Sequence, residues 1–98
     1  MKNVHKLNGG VWLYKGDAPW HFVTINKKDM EIIHKDVLSY GGFKSIKVNV
    51  TLGKTNWRTS IFKDKDDSYL LPIKKEVRRL ENVKEGDKID FKLEVINF

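Results

Sequence analysis

The fold depends on the stretch SIKVNVTLGKTNWRTSIF, residues 45–62. Apolar and polar residues alternate along residues 45–52, which is the period of a strand with one buried face. Gly53-Lys54 supplies a tight connection, and the apolar pattern returns over residues 57–62. The stretch therefore predicts a β-hairpin, and the rest of the chain has to complete its sheet.

Four further segments have strand patterning. They are residues 4–14, 20–25, 69–72 and 88–98. Gly9-Gly10 interrupts the first segment and suits either a tight hairpin or a bulge. Pro19 precedes the second, where a missing N–H group does no harm. The chain is therefore predicted to be mainly β.

Two short helices separate these strands. Asn26 is a typical N-cap, and the first helix is predicted to continue from it to Gly41-Gly42. The second helix follows Pro72 and ends before a turn at Gly86. The predicted apolar faces consist of Met30, Ile33 and Val37 in the first helix and of Ile73, Val77 and Leu80 in the second.

The two halves of the chain have the same order of elements. Residues 22–30 and residues 69–77 each contain an aromatic-led strand and a Lys-Lys-acid helix start. A glycine turn, at Gly42 or Gly86, and a long alternating strand follow in each half. Two such copies related by a pseudo-twofold axis can close a small barrel that one copy cannot close alone.

The composition limits the class of protein. There are 19 Lys and Arg residues against 13 Asp and Glu, which gives a net charge of +6, with 40% hydrophobic residues. This balance predicts one globular domain, residues 1–98. The lack of cysteine excludes disulfides and thiol catalysis and favours the cytoplasm. No apolar run is long enough for a transmembrane helix, and no secretory signal is recognised, so no membrane association is predicted.

Five blocks of sequence resemble the family known as domain of unknown function DUF1905. They are APWHFV (18–23), VNVTLG (48–53), WRTSIF (57–62), YLLPIKKEVR (69–78) and GD (86–87). The resemblance implies a closed, six-stranded, double-split β-barrel and implies no activity. Residues 71–80 with 84–89 are also similar to the swapped-hairpin motif of AbrB-type regulators and antitoxins. Those proteins build the same sort of barrel from two chains, so that similarity implies DNA binding as an alternative.

Basic residues cluster in the second predicted helix. Lys74 and Arg78, like Lys75 and Arg79, are like-charged neighbours at i,i+4, which costs about 0.2–0.5 kcal/mol per pair. Together with Arg58 they form a candidate site for an anion or for nucleic acid, because basic side chains bind phosphates without regard to sequence. The alternative is a solvated helix face in which Arg78 is paired with a nearby carboxylate.

Aromatic residues form a second candidate site. Trp12, Trp20, Trp57 and Tyr69 can stack bases or sugars, line a pocket or form an oligomer contact. The alternative is that they fill the core of a small barrel. Around Trp12, both faces of the first strand are apolar, and one core cannot receive both. That strand is therefore expected to contribute to a pocket or an oligomer contact.

The sequence predicts no catalytic constellation, metal site or cofactor. His5, His21 and His34 are spread over separate elements without ligand spacing, and no glycine-rich nucleotide loop occurs. The first hypothesis is therefore a non-catalytic binding module, monomeric or weakly dimeric, for an anionic ligand or a protein partner. The alternatives are an AbrB-like DNA-binding regulator and a small-molecule-binding or hydrolytic barrel that uses His21, Trp20 and Trp57.

Overall fold

The computed structural model of the chain describes residues 3–37 and 44–96. Within these residues there are six strands and two α-helices. The strands are β1 (His5–Tyr14), β2 (Trp20–Ile25), β3 (Ser45–Leu52), β4 (Thr55–Lys63), β5 (Tyr69–Pro72) and β6 (Lys88–Val95). The helices are α1 (Lys27–Ile33) and α2 (Lys75–Glu81), and short 3₁₀ turns cover His34–Asp36 and Lys65–Asp67.

The strands close into an antiparallel barrel in the order β1-β2-β5-β4-β3-β6. This confirms the predicted six-stranded barrel. The hairpin of β3 and β4 is also confirmed, with Leu52 opposite Thr55 and Ser45 opposite Phe62. Gly53 has a positive φ of 58° in the turn, a conformation that glycine adopts readily. Val48 and Val50 point inward and are fully buried.

β1 is one long strand shared between two neighbours. Residues 5–10 pair with β6, and residues 11–14 pair with β2. The tight hairpin considered at Gly9-Gly10 is therefore wrong. A Cβ atom on Gly9 would lie 2.6 Å from Cγ1 of Val23, so the glycine permits a close approach of β2 where β1 changes partner.

Exchange of the two halves maps the barrel onto itself. β1-β2-α1-β3 corresponds to β4-β5-α2-β6, and the same ring of neighbours results when the two sets are swapped. The pairs that cross the pseudo-twofold axis are β2 with β5 and β3 with β6. The repeat predicted from sequence is therefore present in the order and pairing of the strands.

The residue alignment of that repeat needs a correction. The sequence comparison laid Phe22 on Tyr69, but Phe22 faces outward among other surface aromatics and Tyr69 is buried. Side chains alternate between the faces of a strand, so an alignment that joins an outward to an inward residue is off by one. The helix starts show the shift directly, since the N-caps are Asn26 and Lys74.

The first helix begins as predicted and ends earlier. The side-chain oxygen of Asn26 accepts a hydrogen bond of 2.8 Å from the backbone N–H of Asp29. α1 stops at Ile33, a single 3₁₀ turn follows, and Val37 is extended (φ −86°, ψ 121°). The predicted continuation of the helix through Val37 is therefore wrong; residues 38–43, with the predicted glycine stop, lie outside the described residues. The side chains of Asn3 and His5 bind the Asp36 carboxylate and attach this turn to the start of β1.

The apolar face of α2 is also narrower than predicted. Ile73 and Val77 are buried, but Leu80 is 53% exposed. The helix ends at Glu81, one residue after Leu80. Asn82 then adopts the left-handed conformation (φ 54°, ψ 49°). This reversal turns the buried Val83 back toward the core in place of Leu80.

We expect the two adjacent glycines of β1 to respond differently to alanine. Gly9→Ala should lower the free energy of unfolding by about 1–3 kcal/mol, because its Cβ meets the stiff, fully buried Val23. Gly10→Ala should change it by no more than about 0.5 kcal/mol, since nothing lies within 4 Å of a Cβ there. Urea denaturation of both variants tests this. Equal losses would contradict the close approach of β1 and β2.

Candidate functional site

The four cations in and just before α2 differ in exposure and in their contacts. Lys74, Lys75 and Arg79 are exposed, whereas Arg78 is half-buried. The Nε of Arg78 donates a hydrogen bond of 3.1 Å to the backbone oxygen of Ile73, which lies just before the helix. Arg78 therefore holds the corner between β5 and α2, and three cations of this segment face solvent.

Arg58 lies on a different element from these cations. It is exposed on the outer face of β4, next to the buried Trp57, and pairs across the sheet with Asn49 of β3. The five predicted cations therefore come from two parts of the fold, β4 and the segment of α2.

The four predicted aromatic residues divide between the interior and the surface. Trp57 is 7% exposed and Tyr69 is 2% exposed, so both are core residues. The ring of Tyr69 packs edge-on to His34, with ring centroids 5.5 Å apart. Trp12 and Trp20 lie on the outside of β1 and β2. The structure therefore does not bring Trp20 and Trp57 together in one pocket.

Four surface aromatics form a continuous cluster, which we call the aromatic face: Trp12, Tyr14, Trp20 and Phe22. Trp12 lies opposite Phe22, and Tyr14 lies opposite Trp20, in the pairing of β1 with β2. The rings of Trp20 and Phe22 are parallel within 4°, with centroids 5.9 Å apart. Phe22 also contacts Trp12 at 5.4 Å and Tyr14 at 6.5 Å. Phe22 is thus the centre of the cluster.

The aromatic face is half open to solvent and partly fixed in place. Tyr14 is 51% exposed and Trp20 is 52% exposed. The indole N–H of Trp12 donates a hydrogen bond of 3.0 Å to the hydroxyl of Thr24. Sequence reasoning left Tyr14 and Phe22 out of the site. The signal was present, because each is two residues from a tryptophan on the same strand and alternation puts such residues on one face.

The aromatic face meets the start of α2. Phe22 lies opposite Pro72, and the N–H of Ile73 donates a hydrogen bond of 2.9 Å to the backbone oxygen of His21. This bond extends the antiparallel register by one residue. Lys74 is the next residue along the chain after this bond, and its backbone is still extended (φ −67°, ψ 157°).

His21 lies beneath this junction, on the opposite side of β2 from Trp20 and Phe22. Burial is the larger cause that lowers its pKa, and the positive charge of Arg78 lowers it further, while Glu85 opposes the shift. Its Nδ1 atom is buried and has no hydrogen-bond partner among the described residues. The neutral imidazole therefore suits this environment.

Two clefts of mixed polar and apolar lining lie on another side of the barrel, over β1, β3 and β6. Their volumes are about 500 and 380 Å³, and Lys6, Thr51 and Lys92 line both. Lys6 lies directly opposite Lys92, an unfavourable pair of like charges, while Asp90 and Glu94 on the same strand offset it. None of the predicted site residues lines either cleft.

Among residues 3–37 and 44–96, no group of three or more His, Asp or Glu side chains is arranged to hold a metal ion. Neither α1 nor α2 has the length and apolar character that crossing a membrane requires.

Comparison with known proteins identifies one relationship. The family model described as "Domain of unknown function (DUF1905)" matches residues 8–93, which include every strand nearly completely. No curated protein matches the chain.

We expect Arg78 and Arg79 to differ in their effect on stability. Arg78→Gln should lower the free energy of unfolding by about 1 kcal/mol, because it removes the charged donor to the Ile73 carbonyl at a half-buried corner. Arg79→Gln is the matched control and should change it by less than about 0.5 kcal/mol. Urea denaturation measures both. An unchanged stability in Arg78→Gln would contradict a structural role for Arg78.

The same pair of variants tests the environment of His21. In an NMR titration its pKa should lie below the ordinary value of 6.5, move up in Arg78→Gln and stay unchanged in Arg79→Gln. Because the unfolded chain takes up this proton near pH 6.5 and the folded chain does so only at lower pH, the free energy of unfolding should fall as pH drops below 6.5. A pKa of His21 above 6.5 would contradict the described burial.

Proposed function

Because the chain belongs to the uncharacterised DUF1905 family, we propose its function from its surface: it is a non-catalytic binding module that binds its ligand on the aromatic face, beside Lys74. The observation that carries this proposal is the cluster of four aromatic rings on the outside of β1 and β2. The module is expected to work in the cytoplasm, as its lack of cysteine favours.

The aromatic face has the physical properties of a binding surface. Tyr14 and Trp20 leave about half of their surface in water, although aromatic side chains gain most when they are covered. The barrel does not require them for its core, which β1 and β2 supply from Val11, Val23 and Ile25. Tyr and Trp are also enriched among the residues that dominate binding energy at interfaces.

The surroundings of the histidines support a role without catalysis. His5 binds the Asp36 carboxylate at the start of β1, and His34 contacts the hydroxyl of the buried Tyr69. His21 lies under the aromatic face, separated from the other two. General acid–base chemistry requires a proton-transfer group within reach of a bound substrate, and none of the three histidines belongs to the aromatic face on which we propose that the ligand binds.

The AbrB-type alternative stays a prediction, and one observation favours it. The pseudo-twofold ring in one chain has the symmetry that AbrB-type proteins obtain from two chains. That function would use the exposed cations of α2 on duplex DNA, where phosphate contacts supply the affinity. It would not require Tyr14 or Trp20.

A binding panel distinguishes these functions. The ¹⁵N-labelled chain is titrated with a single-stranded oligonucleotide, its duplex, an oligo-glutamate peptide and a neutral oligosaccharide, and backbone NMR shifts are recorded. At least one ligand should shift signals of β1 and β2, and Tyr14→Ala with Trp20→Ala should weaken that binding at least tenfold. Ile32→Ala, which removes a half-exposed apolar side chain from α1, is the matched control and should bind normally.

Two results of this panel would contradict the proposal. In the first, no ligand shifts any signal. In the second, the shifts map to the Lys6 and Lys92 clefts or to α2 alone and survive the double substitution. Shifts confined to α2 with duplex DNA would favour the AbrB-type function instead.

A further inference from the structure

We infer that the ligand of the aromatic face is a single-stranded nucleic acid, whose bases stack on Trp20 and Tyr14 and whose phosphates lie beside Lys74. This inference rests on the proposed function and names the ligand class for the same surface. Three features of this surface support it: the exposed flat rings of Tyr14 and Trp20, the further rings that support them, and the cations next to the aromatic face.

The ring array suits the faces of bases. Tyr14 and Trp20 lie opposite each other on neighbouring strands, so two half-exposed rings stand side by side. Behind them, Phe22 stacks parallel to Trp20, and Trp12 is held by its hydrogen bond to Thr24. Such support lowers the entropy lost when a ligand orders the rings. Stacking on aromatic side chains tolerates any base, because every base has a π face.

The charge at the edge of the array is positive. Lys74 directly follows Ile73, which is hydrogen-bonded to His21, the residue after Trp20, and Lys75 and Arg79 are exposed on the helix that follows. Within the described part of the chain these three cations form no salt bridge. Lys15 follows Tyr14 directly and is also exposed. Cations beside stacking rings are the combination that single-strand binding requires.

The same features disfavour the competing ligands. A duplex keeps its bases stacked on one another, so it could use the cations but not the rings. An acidic peptide would neutralise the cations and leave the π faces of Tyr14 and Trp20 without a flat partner. A neutral sugar could cover the rings, but it would gain nothing from a surface whose chain carries a net charge of +6.

The test measures fluorescence anisotropy of a labelled 15-nucleotide DNA of mixed sequence, its RNA counterpart and the DNA duplex, at 50 and 200 mM salt. We expect the single strands to bind more tightly than the duplex. Three phosphate contacts would weaken single-strand binding about 20-fold between the two salt concentrations. Lys74→Gln should lower the salt dependence by about one contact.

Variants of the rings separate stacking from simple charge. Trp20→Ala should weaken single-strand binding about fivefold or more, the loss expected for one stacked base. Trp20→Phe keeps a flat ring and should retain most of the affinity, and Ile32→Ala should retain all of it. Circular dichroism checks that each variant folds, which is expected because Trp20 is half exposed.

Three other outcomes would separate failure of the inference, of the ligand class and of the proposed function. If the duplex binds as tightly as the single strand and Trp20→Ala has no effect, the inference is wrong. If oligo-glutamate binds in a Trp20-dependent way and no oligonucleotide does, the ligand class is wrong while the aromatic face remains the binding surface. If neither the oligonucleotides nor the other ligands of the panel bind, the proposed function fails as well.

Discussion

The structure depends on the antiparallel pairing of β2 with β5. Four residue pairs, from Phe22 opposite Pro72 to Ile25 opposite Tyr69, join the two halves of the chain at the pseudo-twofold axis. The hydrogen bond from Ile73 to His21 continues this ladder to the residue before Lys74, the N-cap of α2. Without that pairing the ring would be open, and the aromatic face would have no fixed position relative to the cations. One short ladder therefore positions both the core and the candidate site.

Local patterns were sufficient for most of the fold. Alternation identified which residues of β3, β4 and β6 point inward, and Val48, Val50 and Leu93 are fully buried as the pattern requires. The N-cap at Asn26 could be recognised for the same reason, since a cap depends on neighbours three residues away. These features are set by interactions within a few residues or within one hairpin.

The remaining features depend on contacts between distant segments. α1 ends early where Asn3 and His5 bind Asp36, and no local pattern shows a contact between residues more than thirty positions apart. The alternative that Arg78 is paired was left open, but its acceptor is the Ile73 carbonyl and not a carboxylate, and a backbone acceptor is not visible in the sequence. Likewise, composition alone could not show that Trp57 lies inside the barrel and Trp20 outside it.

The two halves of the barrel resemble each other in their buried residues and differ in their outward-facing ones. The buried residues of both halves are apolar, because the two halves share one core. Outside, the first hairpin carries Trp12, Tyr14, Trp20 and Phe22, while the strand pairing places Phe62, Asp64, Ser68 and Leu70 at the matching positions of the second half. A homodimeric barrel has to present every surface feature twice. Joining both halves in one chain removes that obligation, so the aromatic face of the first half needs no copy in the second.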